Sequence, residues 1–96
     1  MNLEQIKTQY SSQILDLAKR RKVENVRIFG SVARGEENKK SDIDFLIHLS
    51  SNANLLDLSG FNLDLADLLN CKVDVVCDNS IHWSIRERIL LEAVNI

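Results

Sequence analysis

Two aspartates at alternate positions, Asp42 and Asp44, are the residues of this sequence whose type and spacing most directly suggest chemistry. They open the apolar run IDFLIHL, which is typical of a strand, and strand side chains alternate between the two faces. Both carboxylates are therefore expected on one face, about 6.8 Å apart along the chain. Carboxylates that share a face repel each other unless a cation lies between them, and their hard oxygens suit Mg²⁺. The spacing predicts a magnesium site, in which flexible side chains can bracket two ions about 3.5–4 Å apart.

A glycine and a serine, Gly30 and Ser31, follow the preceding apolar run VRIFG. Glycine lets a phosphate approach the backbone, while the serine adds a hydroxyl and free N–H groups point outward. If the two apolar runs are neighbouring strands, this anion cradle lies at the same sheet end as the carboxylate pair, and a metal-bound triphosphate fits between them. Taken singly, Gly30-Ser31 is more often a plain turn and Ser41-Asp42 a turn or strand-entry cap. Only their joint occurrence favours a site.

A third carboxylate, Asp74, is the one charged residue in the run VDVV. Burying an unpaired carboxylate is costly, so its place in an apolar strand calls for a reason. Beside the other two aspartates it would ligate a second metal ion and accept the proton of an attacking hydroxyl. The alternative is an edge-strand residue that faces water.

The elements that position these residues follow from hydrophobic periodicity and turn residues. Asn2 and Gln5 predict an N-cap with a capping box at the start of the first helix. The pattern predicts helices at 3–21 and 54–69, a brief turn or helical start at 31–35, an exposed loop at EENKK, and strands at 26–30, 43–49 and 72–77. A last helix, capped by Asp78, Asn79 or Ser80, is predicted because apolar residues recur every four positions, at Ile81, Ile85, Ile89 and Ala93. The order predicts an α/β fold with a three-stranded sheet and helices packed against it.

Length and charge exclude several classes of protein. The 96 residues predict one domain, 1–96, around a single core. A net charge of −2 supplies no basic surface for direct nucleic-acid binding. No run of about 18 apolar residues and no basic, apolar leader are present, so we expect a cytoplasmic protein that does not enter a membrane. Cys71 and Cys77 bracket a strand and lie too far apart to pair there, so both are expected to be reduced.

The stretch GSVARGEENKKSDIDFLI resembles the signature of the DNA polymerase β-like nucleotidyltransferases, in which Gly-Ser and a spacer precede Asp-x-Asp. On so short a chain it is most similar to the minimal nucleotidyltransferases, the MNT domain, and VDVV and IRERILLEAV resemble that domain's third-carboxylate strand and closing helix. The resemblance implies the small polymerase β-like fold with a mixed sheet. It also implies that Gly30 and Ser31 bind nucleotide phosphates, and that the catalytic, metal-binding carboxylates are Asp42, Asp44 and Asp74.

The activity implied by the resemblance is Mg²⁺-dependent transfer of a nucleoside monophosphate from a nucleoside triphosphate to a hydroxyl, with release of pyrophosphate. Minimal members are typically encoded beside a HEPN-domain protein. The pair resembles a toxin–antitoxin system in which AMP from ATP is attached to a tyrosine of the HEPN ribonuclease. Larger relatives bind the acceptor with an added domain that this sequence lacks. The acceptor site is therefore expected to be completed by a partner protein or by a second copy in a homo-oligomer.

Several alternatives stay open from the sequence. Arg34 either contacts phosphate or braces the loop by pairing with a carboxylate. Trp83 is either a core residue or an exposed anchor for a partner, and His48 is expected to have a structural role. The competing function is a non-catalytic nucleotide-binding module that inhibits its partner by complex formation. Modification of a small molecule is a third, less favoured reading.

Overall fold

The computed structural model describes residues 1–38 and 42–96. The predicted turn at Ser41 and the end of the predicted loop, Lys39 and Lys40, lie outside the described residues. Within them the α-helices are α1 (Leu3–Gln5), α2 (Ser11–Arg20), α3 (Gly30–Arg34), α4 (Leu55–Leu69) and α5 (Trp83–Glu92). The strands are β1 (Val23–Phe29), β2 (Ile43–Leu49), β3 (Val73–Cys77) and β4 (Val94–Asn95). A π-helical segment, Ile6–Tyr10, joins α1 to α2, and Asp78–Ser80 forms a 3₁₀ turn.

The strands form a mixed sheet in the order β3-β2-β1-β4. Strand β1 is antiparallel to both β2 and β4, whereas β2 and β3 are parallel and are connected through α4. The antiparallel register places Phe29, the last residue of β1, opposite Asp44 near the start of β2. The expected α/β class and mixed sheet are therefore confirmed, and the end of β1 lies beside the start of β2.

The prediction of a three-stranded sheet was wrong by one strand, because β4 pairs with β1 through Val94 and Asn95. Two residues are too few to show the alternation that marks a strand in a sequence. The last helix is also shorter than predicted. It begins at Trp83 and ends at Glu92, so Ile81 precedes it and Ala93 is its C-cap.

The N-terminal helical segment begins as its sequence predicts. The Asn2 side chain accepts a hydrogen bond from the Gln5 backbone N–H at 2.8 Å, and the Gln5 side chain accepts one from the Asn2 backbone N–H at 2.9 Å. This reciprocal pair satisfies two N–H groups that the first turn leaves free. The capping box is confirmed.

The core is built mainly from one face of the sheet and the helices that cover it. Strand β2 is buried on both faces, as its continuous apolar run predicts. Fully buried large side chains are Phe45, Phe61, Ile6, Ile14, Ile28, Leu46, Ile47, Leu65 and Val32. Each such side chain stabilises the fold by about 1.5–3 kcal/mol relative to an exposed position. Together they fix the strands that carry the candidate site residues.

Two smaller features agree with the sequence. Cys71 and Cys77 are both free thiols, as predicted. No helix among residues 1–38 and 42–96 is long and apolar enough to cross a membrane.

Adjacent residues of α2 test the core directly. Ile14 is fully buried, whereas its neighbour Leu15 is 47% exposed. We expect Ile14→Ala to lower the free energy of unfolding by about 2–5 kcal/mol, because it leaves a cavity. Leu15→Ala on the same helix should change it by less than about 0.5 kcal/mol. Urea unfolding of both variants is the measurement, and equal losses would contradict the packing described.

Candidate active site

The candidate site begins where β1 turns into α3. Gly30 has φ +76°, a left-handed conformation that glycine adopts without a steric penalty. It is the first residue of α3, whose third residue, Val32, is buried in the core. The core therefore fixes α3, and the glycine supplies the sharp change of direction from the strand.

Gly30 also allows a close approach between this turn and β2. A Cβ atom at Gly30 would lie 2.2 Å from Asp44 Oδ2 and 3.1 Å from Asp44 Cγ. Any residue other than glycine would displace the Asp44 carboxylate. The anion cradle predicted at Gly30 and Ser31 and the carboxylate predicted at Asp44 are therefore in direct contact.

The three predicted carboxylates lie at one end of the sheet. Asp44 and Asp74 are register partners on the parallel strands β2 and β3, and Asp42 lies one residue before β2. Asp74 is exposed, and β3 is one of the two edge strands of the sheet formed by the described residues. The Asp42 carboxylate contacts Lys72 Nζ at 3.7 Å, an exposed ion pair of little energetic value. Asp74 is thus both an edge-strand residue and a neighbour of Asp44.

The pKa of the Asp44 carboxyl group reflects its burial and the neighbouring carboxylates. Burial raises the pKa of its carboxyl group, and the negative charges of Asp74 and Asp42 raise it further, while Arg34 acts in the opposite direction. A group whose ionised form is disfavoured in this way gains most from a nearby cation. The electrostatic environment therefore favours a positive ion beside Asp44.

The donor chemistry of this set fits a hard divalent cation, because all three groups are carboxylates. In the described part of the chain, however, no three Asp, Glu, His or Cys side chains are placed so that they could hold an ion as they stand. The assignment of Asp42, Asp44 and Asp74 as metal ligands stays a prediction.

A fourth carboxylate, Glu92, reaches the same turn from α5. The Gly30 backbone N–H donates to Glu92 Oε2 at 2.8 Å, and Arg34 Nη1 donates to Glu92 Oε1 at 2.6 Å. Arg34 Nε also donates to Glu36 Oε2 at 2.9 Å. Of the two roles open to Arg34, the structure therefore shows the brace that pairs with carboxylates.

Sequence reasoning assigned no role to Glu92, although it lies in the closing-helix stretch IRERILLEAV. One signal was available. Glu92 is the last residue of α5, where the helix dipole disfavours a negative charge. A carboxylate at such a position gains from a partner that donates hydrogen bonds, and the structure provides Gly30 and Arg34.

The model of the nucleotidyltransferase domain family matches residues 11–96. The chain belongs to this family. A relative from Methanocaldococcus jannaschii, described as a protein adenylyltransferase, is 38% identical over 96 residues, which are 100% of this chain and 99% of the relative. The protein adenylyltransferase MntA of Thermococcus cleftensis is 30% identical over 96 residues, which are 100% of this chain and 97% of MntA.

Solved structures agree with this assignment. A chain described as a minimal nucleotidyltransferase superposes with a TM-score of 0.88 at 36% identity, covering 100% of this chain and 97% of that one. A chain from a toxin–antitoxin structure with AMP-PNP gives a TM-score of 0.75 at 20% identity, covering 90% of this chain and 71% of that one. At that identity the second likeness shows the fold alone.

Of the candidate carboxylates of this nucleotidyltransferase, Asp74 lies on an edge strand, β3, whereas Asp44 lies on the inner strand β2. One surface pocket in the described residues, of about 290 Å³, lies between α2 and α4 and is lined by none of the three aspartates. Another, of about 440 Å³, is lined by residues of the chain start and of the loop after α3, Met1, Asn2, Gln5, Gly35, Glu37 and Asn38. Neither of these two pockets is lined by Asp42, Asp44 or Asp74.

The structure also shows the surroundings of His48 and Trp83, whose roles were left open or only broadly assigned from the sequence. His48 Nδ1 contacts Asp78 Oδ1 at 3.0 Å, and Arg27 Nη2 donates to Asp78 Oδ2 at 3.4 Å. His48 thus belongs to a polar network across the sheet. Trp83 is 82% exposed, so the reading of Trp83 as a core residue was wrong.

Two glycines with similar backbone conformations test the contact with Asp44. Gly35 has φ +73° and no atom within 4 Å of an added Cβ, whereas an added Cβ at Gly30 meets Asp44. Both Gly30→Ala and Gly35→Ala incur the left-handed penalty of about 1–2 kcal/mol. Only Gly30→Ala must also displace Asp44, so its melting temperature should fall further, by about another 4–8 °C per additional kcal/mol. Equal melting temperatures for the two variants would contradict the close approach.

The repulsion at Asp44 predicts that its neutral variant is more stable than the natural protein. In EDTA, Asp44→Asn should raise the melting temperature by a few degrees, since about 1 kcal/mol corresponds to about 4–8 °C in a domain of this size. Asp16→Asn, at an exposed position of α2, is the matched control and should leave the melting temperature unchanged within about 0.5 kcal/mol. A lower melting temperature for Asp44→Asn would show that its charge stabilises the fold.

Proposed function

We propose that this nucleotidyltransferase is a Mg²⁺-dependent protein adenylyltransferase that moves AMP from ATP onto a hydroxyl of a partner protein. The observation that carries the proposal is the placement of Asp44, with Asp74 beside it in the sheet and the Gly30 backbone against its carboxylate. This arrangement brings the expected metal ligands and the expected phosphate-binding turn together. Two relatives that span the chain are described as protein adenylyltransferases, which supports AMP as the group transferred.

Asp42, Asp44 and Asp74 are the residues that would hold the metal, with two ions expected. Bound Mg²⁺ would neutralise phosphate charge and polarise the reacting phosphoryl group. The raised pKa of Asp44, caused by burial and by the charges of Asp74 and Asp42, supports a cation at this position. Gly30 would let the nucleotide phosphates approach the turn, and Ser31 would bind them through its backbone N–H and hydroxyl, since the Gly30 N–H itself donates to Glu92.

The chain's own residues suit an in-line displacement at the α-phosphorus. Asp74, exposed on the edge strand, would accept the proton of the attacking hydroxyl. The acceptor oxygen then bonds to the α-phosphorus while the bond to the pyrophosphate oxygen breaks. Such a reaction demands positioning rather than covalent chemistry from the protein.

A protein acceptor agrees with the open edge of the sheet. Asp74 is exposed on β3, which has no strand on its outer side in the described residues. A hydroxyl carried by another macromolecule can therefore approach it directly. The resemblance to minimal nucleotidyltransferases makes a HEPN-domain toxin the proposed partner, with this chain as the antitoxin in the cytoplasm. A second copy of the chain remains the other way to complete the acceptor site.

The test is intact-mass spectrometry of the HEPN-domain protein encoded beside this chain, after incubation with the chain, Mg²⁺ and each nucleoside triphosphate in turn. We expect a gain of one or more AMP units with ATP. Asp42→Asn and Asp44→Asn should each lower the rate by more than about 100-fold, because they remove charge stabilisation worth several kcal/mol. Asp16→Asn, far from the site in the sequence and exposed, should transfer at the natural rate.

Two outcomes would overturn the proposal. No mass gain with any nucleotide, while the two proteins still form a complex, would favour inhibition by binding alone. The same holds if Asp44→Asn neutralises the toxin as well as the natural protein does. A gain with another nucleotide would keep the enzyme and change its substrate.

A further inference from the structure

The carboxylate of Glu92 connects α5 to both ends of α3. Its Oε2 accepts the Gly30 N–H at 2.8 Å, and its Oε1 accepts Arg34 Nη1 at 2.6 Å. These donors are the first and last residues of α3. The Glu92 side chain is only 17% exposed, so water competes weakly for its hydrogen bond with the Gly30 N–H, whereas the Arg34 side chain is 46% exposed and its pair with Glu92 is open to water. One side chain therefore spans the whole expected phosphate-binding turn.

This arrangement opposes the local preference of the helix. A carboxylate at the C-terminal residue of α5 interacts unfavourably with the helix dipole. Burial raises the pKa of Glu92, but the hydrogen bonds from Arg34 and Gly30 outweigh it, so the pKa is lowered overall. The partners on α3 thus more than offset the effect of burial on the Glu92 carboxylate.

The contact bears on the geometry of the nucleotide site through Gly30. Gly30 lies against Asp44, and a rotation of its peptide group would change both that contact and the direction of the neighbouring N–H groups. Arg34, held between Glu92 and Glu36, lies close enough to Asp44 to lower the pKa of its carboxyl group. Glu92 fixes both residues with one carboxylate.

We propose that Glu92 is a positioning residue, which holds the Gly30–Arg34 turn in the conformation that receives nucleotide phosphate. The inference rests on the proposed function in that it takes this turn as the phosphate site. Glu92 is not a catalytic residue, because its contacts are to Gly30 and Arg34 rather than to the carboxylates expected to hold metal. Its carboxylate organises the turn before the nucleotide arrives.

The opposite role for Glu92 would be to compete with nucleotide phosphate for the Gly30–Arg34 turn, and this role predicts a different result. A carboxylate that accepts the Gly30 N–H and pairs with Arg34 resembles a phosphate in its acceptor oxygens and charge. If it occupied the phosphate position itself, nucleotide would have to displace it, and removing it would tighten binding. The positioning role requires the reverse, since removal frees the turn and weakens binding.

The test uses Glu92→Ala and Glu92→Gln in the full chain, with Glu87→Gln as the matched control on an exposed position of the same helix. Hydrogen exchange of the Gly30–Arg34 amides should become faster in Glu92→Ala and be partly restored in Glu92→Gln, which keeps one acceptor oxygen. The dissociation constant for AMP-PNP with Mg²⁺, measured by calorimetry, should rise about tenfold in Glu92→Ala. Glu87→Gln should change neither quantity.

Each result that differs from these expectations would assign Glu92 a different role or overturn the proposal. Tighter nucleotide binding in Glu92→Ala would establish the competing carboxylate and overturn the positioning role. Unchanged exchange of the α3 amides, or unchanged affinity alongside a lower melting temperature, would reduce Glu92 to a structural anchor. If the natural protein binds nucleotide but modifies no acceptor, the proposed function fails while the Glu92 result stands. If the natural protein binds no nucleotide, both the proposed function and the positioning role are overturned.

Discussion

The site depends on the contact between the Gly30 backbone and the Asp44 carboxylate. Two antiparallel strands meet there, and the space between them is too small for a Cβ atom. The absence of one side chain thus brings the turn that is proposed to bind phosphate against a carboxylate that is proposed to bind metal. A nucleoside triphosphate with its metal needs both within a few ångströms, and a five-residue helix anchored by Val32 supplies the rigidity.

The carboxylate in this contact, Asp44, also lies near two other negative charges, Asp42 and Asp74, which repel it. Burial of the neighbouring side chains of strand β2 offsets this repulsion. Ile43 and Phe45 flank Asp44 in the sequence and are buried in the core. Because neighbouring strand residues point to opposite faces, burial of these two side chains holds Asp44 against the repulsion of Asp42 and Asp74. One face of β2 thus carries the core residues Ile43 and Phe45, whereas the other carries Asp44 together with the buried Leu46. The expected metal would relieve a repulsion that hydrophobic burial otherwise opposes.

Local sequence patterns predicted the part of the site that local geometry determines. The bounds of β2, the capping box at Asn2 and the proximity of Asp42, Asp44 and Asp74 follow from periodicity and strand pairing. Glu92 could not be placed this way, because its partner Gly30 is 62 residues away and no periodicity encodes that contact. The fourth strand was missed since two residues carry no pattern. Gly60 lies inside α4, where an added Cβ atom would lie 2.4 Å from the Arg21 guanidinium, so this glycine makes room for a tertiary contact that no local pattern predicts.

The segment from Trp83 onward contacts the candidate site from two directions. Strand β4 pairs with Arg27 and Ile28, just before the turn at Gly30, and Glu92 binds the Gly30 amide itself. Yet Ile89 is the only buried residue of α5, whereas Trp83 and Leu91 are each 82% exposed. Hydrophobic burial therefore fixes this helix weakly, and its position depends largely on polar contacts and a short strand pairing. Glu92 is one of these polar contacts, so a hydrogen bond from the Gly30 backbone connects the end of α5 directly to the turn of the candidate site.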